Sequence, residues 1–279
     1  MNYILTFCFA LALSTTTHVQ ASETQTPKSQ TTTYELTVTD AAHHLAEVAV
    51  TFPNVTEKVL TVKLPVWRSG RYEILDLGKN LRDMNAKQNG ESLTVTQIDK
   101  NTWKVFLKSP GTVTFNYEVY ANMLRHRVAH IDNTHAFLDA SGVFIYAPKF
   151  RDQALTVSLK VAENWVSRSG MEQTNDHQFK TSDYDQLVDS PIESGIHEYV
   201  NFDVNDKNYG ILIWGEGNHD IADIKEKATL LHHEAEKVWG EFPFDDYLYM
   251  VHAGPGLRGA TEHVNSTIMQ FDRFGFSEK

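Results

Sequence analysis

The chain has 279 residues, 41% of them hydrophobic, 11% aromatic and 22% charged, which excludes a disordered, collagen-like or coiled-coil protein. Its 36 acidic residues outnumber 25 Lys and Arg, giving a formal net charge of −11. No basic cluster offsets that surplus, so nucleic acid is excluded as a partner, while the length suits one large domain or two smaller ones.

Residues 1–21 contain no Asp, Glu, Lys or Arg, and Tyr3–Leu13 form an apolar run too short to cross a ~30 Å hydrocarbon core as a helix. Val19-Gln20-Ala21 puts small residues where a signal peptidase cuts. Residues 1–21 are therefore expected to be a signal peptide, and the mature chain periplasmic or secreted, with no membrane contact after cleavage. Cys8, the single cysteine, would leave with that peptide, which excludes disulfides and thiol catalysis. The polar stretch 22–33 reads as a flexible leader.

From Tyr34 to Phe202 the dominant pattern is period two. Tyr34–Thr39, Ala46–Phe52, Val59–Leu64, Leu93–Ile98, Trp103–Leu107, Val113–Tyr120 and Leu155–Val161 alternate apolar and polar residues. Asn89-Gly90, Pro110-Gly111, Ser141-Gly142 and Ser169-Gly170 are turn dipeptides between such runs. Many short strands without a convincing helix predict an antiparallel β-sandwich or saddle over residues 34–202.

The pattern changes at about residue 203. Tyr209–Trp214 predicts a buried strand, and Ile221–Trp239 carries apolar residues at helical spacing behind the N-cap candidates Asn218 and Asp220, with Gly240 as its stop. Tyr247–His252 predicts another strand, a Gly/Pro-rich loop spans Ala253–Gly259, and Thr261–Phe271 alternates again. Residues 203–279 thus read as the opening of a mixed α/β domain.

Thirteen histidines invite a metal reading. His232-His233-Glu234-Ala235-Glu236-Lys237 lies close to His-Glu-x-x-His, but Lys237 stands where the second zinc ligand belongs, so a solvated helix face is the better reading. His126, His130 and His135 recur at spacings of four and five; surface or interface polar contacts are favoured over a metal. Gly254–Gly259 has dinucleotide-turn spacing but leads into a strand, so no helix N-terminus is there to hold a phosphate. In Gly259-Ala260-Thr261-Glu262-His263, small residues entering an edge strand can dock an extended peptide, and a carboxylate can then hold its free α-ammonium. Taken by itself, the segment is better read as a hairpin turn with an exposed glutamate.

Four segments, in order, resemble one family. Gly259–Ser266 (GATEHVNS) resembles the Gly-Gly-Leu-Glu-His-x-x-Ser segment of the glycyl aminopeptidases, the sixty-first metallopeptidase family. Leu64–Tyr72 (LPVWRSGRY) resembles its Met-Pro-x-Trp-x-Pro-Gly-x-Tyr signature, Asp189–Glu193 (DSPIE) its Asp-Ser-Pro-x-Glu junction, and Phe242–Tyr247 (FPFDDY) its Phe-Pro-Tyr-x-x-Tyr corner. The resemblance implies a β-rich N-terminal domain on a thermolysin-like catalytic domain, often followed by helical and PDZ regions. It also implies a zinc ion on a His-Glu-x-x-His helix that removes N-terminal residues, of glycine or alanine type, from peptides. By the same match Glu262 binds the substrate α-amine, while Gly259 and Ala260 line the substrate backbone.

Ser69 replaces the signature proline, and Ala260 and Thr261 replace Gly and Leu. His-Glu-x-x-His is absent from the sequence, so the chain is expected to carry no catalytic or metal residue and to be inactive alone, as the front part of such an enzyme with residues 203–279 a truncated catalytic start. An exposed sheet is expected to invite self-association. The alternative function is a stand-alone peptide- or protein-binding β-domain without catalysis.

Overall fold

The computed structural model describes residues 31–68 and 73–276. The expected signal peptide, most of the leader and Ser69–Tyr72 of the signature segment lie outside them. The leader ends earlier than residue 33: Thr32 is buried and pairs with Leu155, so the first strand has already begun.

Seven strands open the chain: β1 (Thr32–Asp40), β2 (Leu45–Val55), β3 (Val59–Lys63), β4 (Leu81–Gln88), β5 (Glu91–Asp99), β6 (Thr102–Phe106) and β7 (Gly111–Tyr120). Then come β8 (His130–Ile131), β9 (His135–Leu138), the one-turn helix α1 (Ala140–Val143), β10 (Leu155–Lys160), β11 (Val166–Ser169), β12 (Glu172–Asn175) and β13 (Gln178–Thr181). A second short helix, α2 (Tyr184–Val188), and β14 (Ile192–Gly195) complete this part. A ten-stranded sheet runs in the order β12-β13-β10-β1-β2-β7-β4-β5-β6-β3, and a four-stranded sheet in the order β11-β14-β9-β8. Pairing is antiparallel except between β1 and β10.

The alternation read from the sequence is the physical basis of this sheet. Leu36 on β1, Val48 and Val50 on β2, Phe115 on β7 and Val157 on β10 are all buried on one face, as a period of two requires. Three buried tyrosines tie that core to the segment after α1. Tyr34 donates to the Ile145 carbonyl at 3.0 Å, Tyr117 to Val143 at 2.9 Å and Tyr184 to Phe144 at 2.6 Å. Burial pushes all three phenols above their ordinary pKa, so they stay protonated donors at any ordinary pH, and Tyr117 Oη also accepts from Ile145 N–H at 3.1 Å.

A second sheet follows, from β15 (Glu198–Val204), β16 (Lys207–Trp214), the helix α3 (Ile221–Trp239), β17 (Asp246–Gly254), β18 (Gly259–Glu262) and β19 (Ser266–Asp272), in the order β15-β16-β17-β19-β18. It begins at Glu198 rather than at residue 203, because β15 pairs with β16 along its whole length. β16, β17 and β19 are parallel, and α3 is the crossover that a parallel β16–β17 pair needs. Asp220 caps α3 by accepting from Ala222 and Asp223 N–H, and Gly240 closes it at φ +77°.

The stretch Thr261–Phe271 forms two antiparallel strands, not one. The turn 263–265 folds it back so that Glu262 pairs with Thr267. One face of this sheet buries Leu212, Leu248, Met250 and Ile268 against Phe137 of β9. The other packs Tyr209, Ile211, Ile213 and Val251 under Ile221, Ile224 and Ala228 of α3. The sheet is thus covered on both faces, while Leu230, Leu231, Val238 and Trp239 in the second half of the helix stay exposed. No helix among the described residues is long and apolar enough to cross a membrane.

Candidate functional site

The carboxylate-bearing segment 259–263 lies at the edge of the second sheet, where β18 pairs with β19 on one side only. Gly259 and Thr261 turn toward the loop after β7. Gly259 has φ +116°, and a Cβ there would sit 2.5 Å from His126 Cε1, so only glycine fits. Arg127 Nε donates to Thr261 Oγ1 at 3.0 Å. Ala260 and Glu262 face the opposite way; Ala260 is half-buried and Glu262 is exposed. The strand therefore presents its free backbone edge and the Glu262 carboxylate together, as a docked extended peptide with a free amine requires.

The turn beyond Glu262 is gripped by the first domain. The Asp189 carboxylate accepts from His263 Nδ1 at 3.0 Å and from Val264 N–H at 2.9 Å, and Asn265 Nδ2 donates to the Gly170 carbonyl at 2.7 Å. Burial works to raise the Asp189 pKa, but the bonds from His263 and Val264 outweigh it and hold the carboxyl below its usual range. Tyr247 donates to the Ser266 carbonyl at 3.1 Å; burial, with the charges of Glu262 and Asp189 nearby, pushes its phenol up to about 12.

Glu193, the last residue of the same DSPIE segment, is fully buried between the domains. It accepts from His135 Nδ1 at 2.7 Å and from His252 Nε2 at 2.9 Å. Burial alone would raise its pKa, yet the two imidazoles hold it down to about 2. Burial lowers the His252 pKa, so at that contact an ionised carboxylate accepts from a neutral ring. His135 is therefore buried against the second sheet, His130 is buried beside it and bonds to Asp132 of its own hairpin, and His126 is half-buried, so none of the three is a plain surface histidine.

The signature segment has a part as well. Arg68 pairs with the buried Asp139 and donates to the Arg127 carbonyl at 3.1 Å, bracing the loop that meets Gly259 and Thr261. Beside it, a 260 Å³ depression is lined by Leu75, Met123, Arg125 and His126. A larger one, 620 Å³, lies far away over the polar face of the ten-stranded sheet and gathers no convergent chemistry. Sequence reasoning placed Gly259, Ala260 and Glu262 on an edge strand but missed Asp189, Glu193, Arg68 and Arg127 as their supports. The DSPIE segment was the available signal, though its contacts span 74 residues.

The histidines of α3 do not fit a catalytic zinc. His232 shares a hydrogen bond of 2.8 Å with the Tyr249 hydroxyl and stacks on Tyr209, and Lys237 pairs with Glu234. The ring and the would-be base are both engaged elsewhere.

The family description "Peptidase M61 N-terminal domain" matches residues 33–196. Among solved structures, an aminopeptidase N family protein from Idiomarina loihiensis is similar over 89% of this chain and 44% of its own, at 25% identity and a TM-score of 0.83. The M1 zinc metallopeptidase from Deinococcus radiodurans shares the fold over 86% of this chain and 59% of its own, at 12% identity and a TM-score of 0.54. Yeast LTA4 hydrolase with bestatin does so at 13% identity and a TM-score of 0.52, over 86% of this chain and 39% of its own. The chain thus spans less than two thirds of the length of each. No curated protein matches it.

Proposed function

The chain belongs to the Peptidase M61 family through its N-terminal domain, and from that premise we propose that it is the substrate-docking part of an exported zinc aminopeptidase of the glycyl type. Glu262 holds the α-ammonium of a peptide laid along β18, and Gly259 and Ala260 line the peptide backbone. The observation that carries this reading is the exposed Glu262 carboxylate at the end of an edge strand whose position Asp189 fixes. A ligand strand adding to β18 would gain main-chain hydrogen bonds, and the carboxylate would set its register so that one terminal residue is singled out.

Support also comes from relatives. A variant of the Deinococcus M1 enzyme has been solved with a Tyr-Ser-Ala substrate. Bound to a full-length protein of this kind, zinc would lower the pKa of its water and polarise the scissile carbonyl. This stretch of sequence carries no His-Glu-x-x-His, so by itself it binds peptides and does not cleave them; helical and PDZ regions belong to the same reading of a full-length protein. Glycine or alanine is the preferred first residue, and the periplasm or exterior is the compartment, on the strength of the uncharged apolar N-terminus.

Calorimetry with a Gly- or Ala-terminated peptide and its N-acetylated form tests the proposal. Tighter binding of the free amine supports it. Equal binding of both forms would remove the amine-docking role and favour a general β-binding module.

A further inference from the structure

A second constellation of polar groups sits in the hairpin of β8 and β9, where it meets Trp214 of β16. Its sequence is His130-Ile131-Asp132-Asn133-Thr134-His135. Asp132 is fixed in place: its Oδ1 accepts from Thr134 N–H at 2.7 Å, from Thr134 Oγ1 at 2.6 Å and from His135 N–H at 3.1 Å. That leaves Oδ2, which lies 3.2 Å from His130 Nε2. One carboxylate oxygen and one ring nitrogen from each of His130 and His135 lie within 4.8 Å of one another.

The orientation of His135 decides what this cluster can do. Its Nδ1 donates to the Glu193 carboxylate at 2.7 Å, which in the neutral ring leaves Nε2 as the nitrogen free to accept or to bind an ion. That Nε2 is fully buried and has no hydrogen-bond partner. The ring is held by Trp214, stacked on it at 3.7 Å with 13° between the planes, and Trp214 Nε1 in turn donates to Thr134 Oγ1 at 3.1 Å. A histidine whose one nitrogen is anchored by a buried carboxylate and whose other is bare is the arrangement by which proteins present imidazole to a metal.

We propose that His130, Asp132 and His135 form a binding site for a divalent transition-metal ion of the zinc class, with Glu193 orienting His135 from behind. Two imidazoles and one carboxylate match the donor set of three-ligand zinc sites, which leave a fourth position open to water. Hard cations such as calcium or magnesium prefer all-oxygen sets and are not favoured by two ring nitrogens. The Asp132 side chain is about one-third exposed, which gives the ion a path in and the fourth position access to solvent. The same Glu193 carboxylate also accepts from His252 of the second sheet, so a bound ion would stiffen the junction that carries β18.

The test uses the untagged full chain, stripped with chelator and titrated with zinc alone by calorimetry. One equivalent of zinc is expected, together with a rise in melting temperature. Asp132→Asn and His130→Gln should each weaken binding at least ~10-fold, and Glu193→Gln by ~10–100-fold, as loss of an orienting partner does. Absence of stoichiometric binding, or unchanged binding in folded Asp132→Asn and His130→Gln, would overturn the site. Should those variants fail to fold, X-ray absorption of the zinc-loaded wild-type chain decides. Two imidazole nitrogens plus oxygen at about 2.0–2.2 Å support the site; one imidazole or none overturns it.

Discussion

The Asp189 carboxylate meets the His263 ring at 3.0 Å and the Val264 N–H at 2.9 Å, joining the end of the first domain to the turn that follows Glu262. One residue of the inter-domain segment therefore sets where the exposed carboxylate stands. Because Asp189 is held ionised by these same bonds, the grip is charge-assisted, which is the stronger kind of hydrogen bond.

Asp189→Ala removes both bonds and leaves the Val264 N–H to water. A loss of about 1–3 kcal/mol in unfolding free energy is expected from denaturant titration, the usual range for bonds to a charged group. Asp189→Asn keeps an acceptor for Val264 and should lose less. Equal and negligible losses in both would mean that the turn holds itself.

Gly259→Ala places a methyl group against the His126 ring at a backbone angle that side chains rarely adopt. A cost of about 1–3 kcal/mol is expected. Adding His126→Ala should recover the steric part and leave the conformational part, so the double variant should melt between wild type and Gly259→Ala. A double variant no better than Gly259→Ala would place the whole cost in the backbone.

Acid should loosen the junction between the domains. The Glu193 pKa is depressed to about 2 in the folded chain, so its contribution is fully present above the unfolded value of 4.5 and is lost as pH falls from there toward 2. The His252 pKa is lowered as well, which means the unfolded chain takes up the proton first and stability begins to fall below about 6.5. Both act in one direction. Unfolding free energy measured between pH 8 and pH 3 should decline steadily on acidification, and Glu193→Gln should flatten the steep part below the unfolded carboxyl value. A stability that rises as pH drops through this window would contradict the assignment of protons.

Two exposed apolar side chains in the second half of α3 can be changed without touching the core. Leu231 and Trp239 are 66% and 77% exposed, so Leu231→Lys with Trp239→Lys should alter stability by only ~0.5 kcal/mol each while sharply reducing binding of a hydrophobic dye. A large drop in melting temperature would show that these side chains pack against the fold after all.

Strands such as Leu155–Lys160, and the helix Ile221–Trp239 with both its caps, were legible because their signals are local: alternation, a capping aspartate, a closing glycine. The fold-back at residues 263–265 was not. No glycine or proline punctuates Thr261–Phe271, and the turn is held by Asp189 and Gly170, which are distant in sequence. The same holds for the site. Glu262 on an edge strand could be placed from its small-residue neighbours, whereas the setting of His135 depends on Glu193 arriving from β14, itself held by His252 from β17. Histidine spacing alone carries no information about a carboxylate 58 residues away.

The amine-docking role of Glu262 is tested most directly by a cycle that pairs Glu262→Gln with N-acetylation of a Gly- or Ala-terminated peptide, read by calorimetry. The account predicts that Glu262→Gln weakens binding of the free-amine peptide by ~10–100-fold, the loss of one charge-assisted contact, and leaves the acetylated peptide nearly unaffected. Equal losses for the two peptides, or none for either, would contradict it.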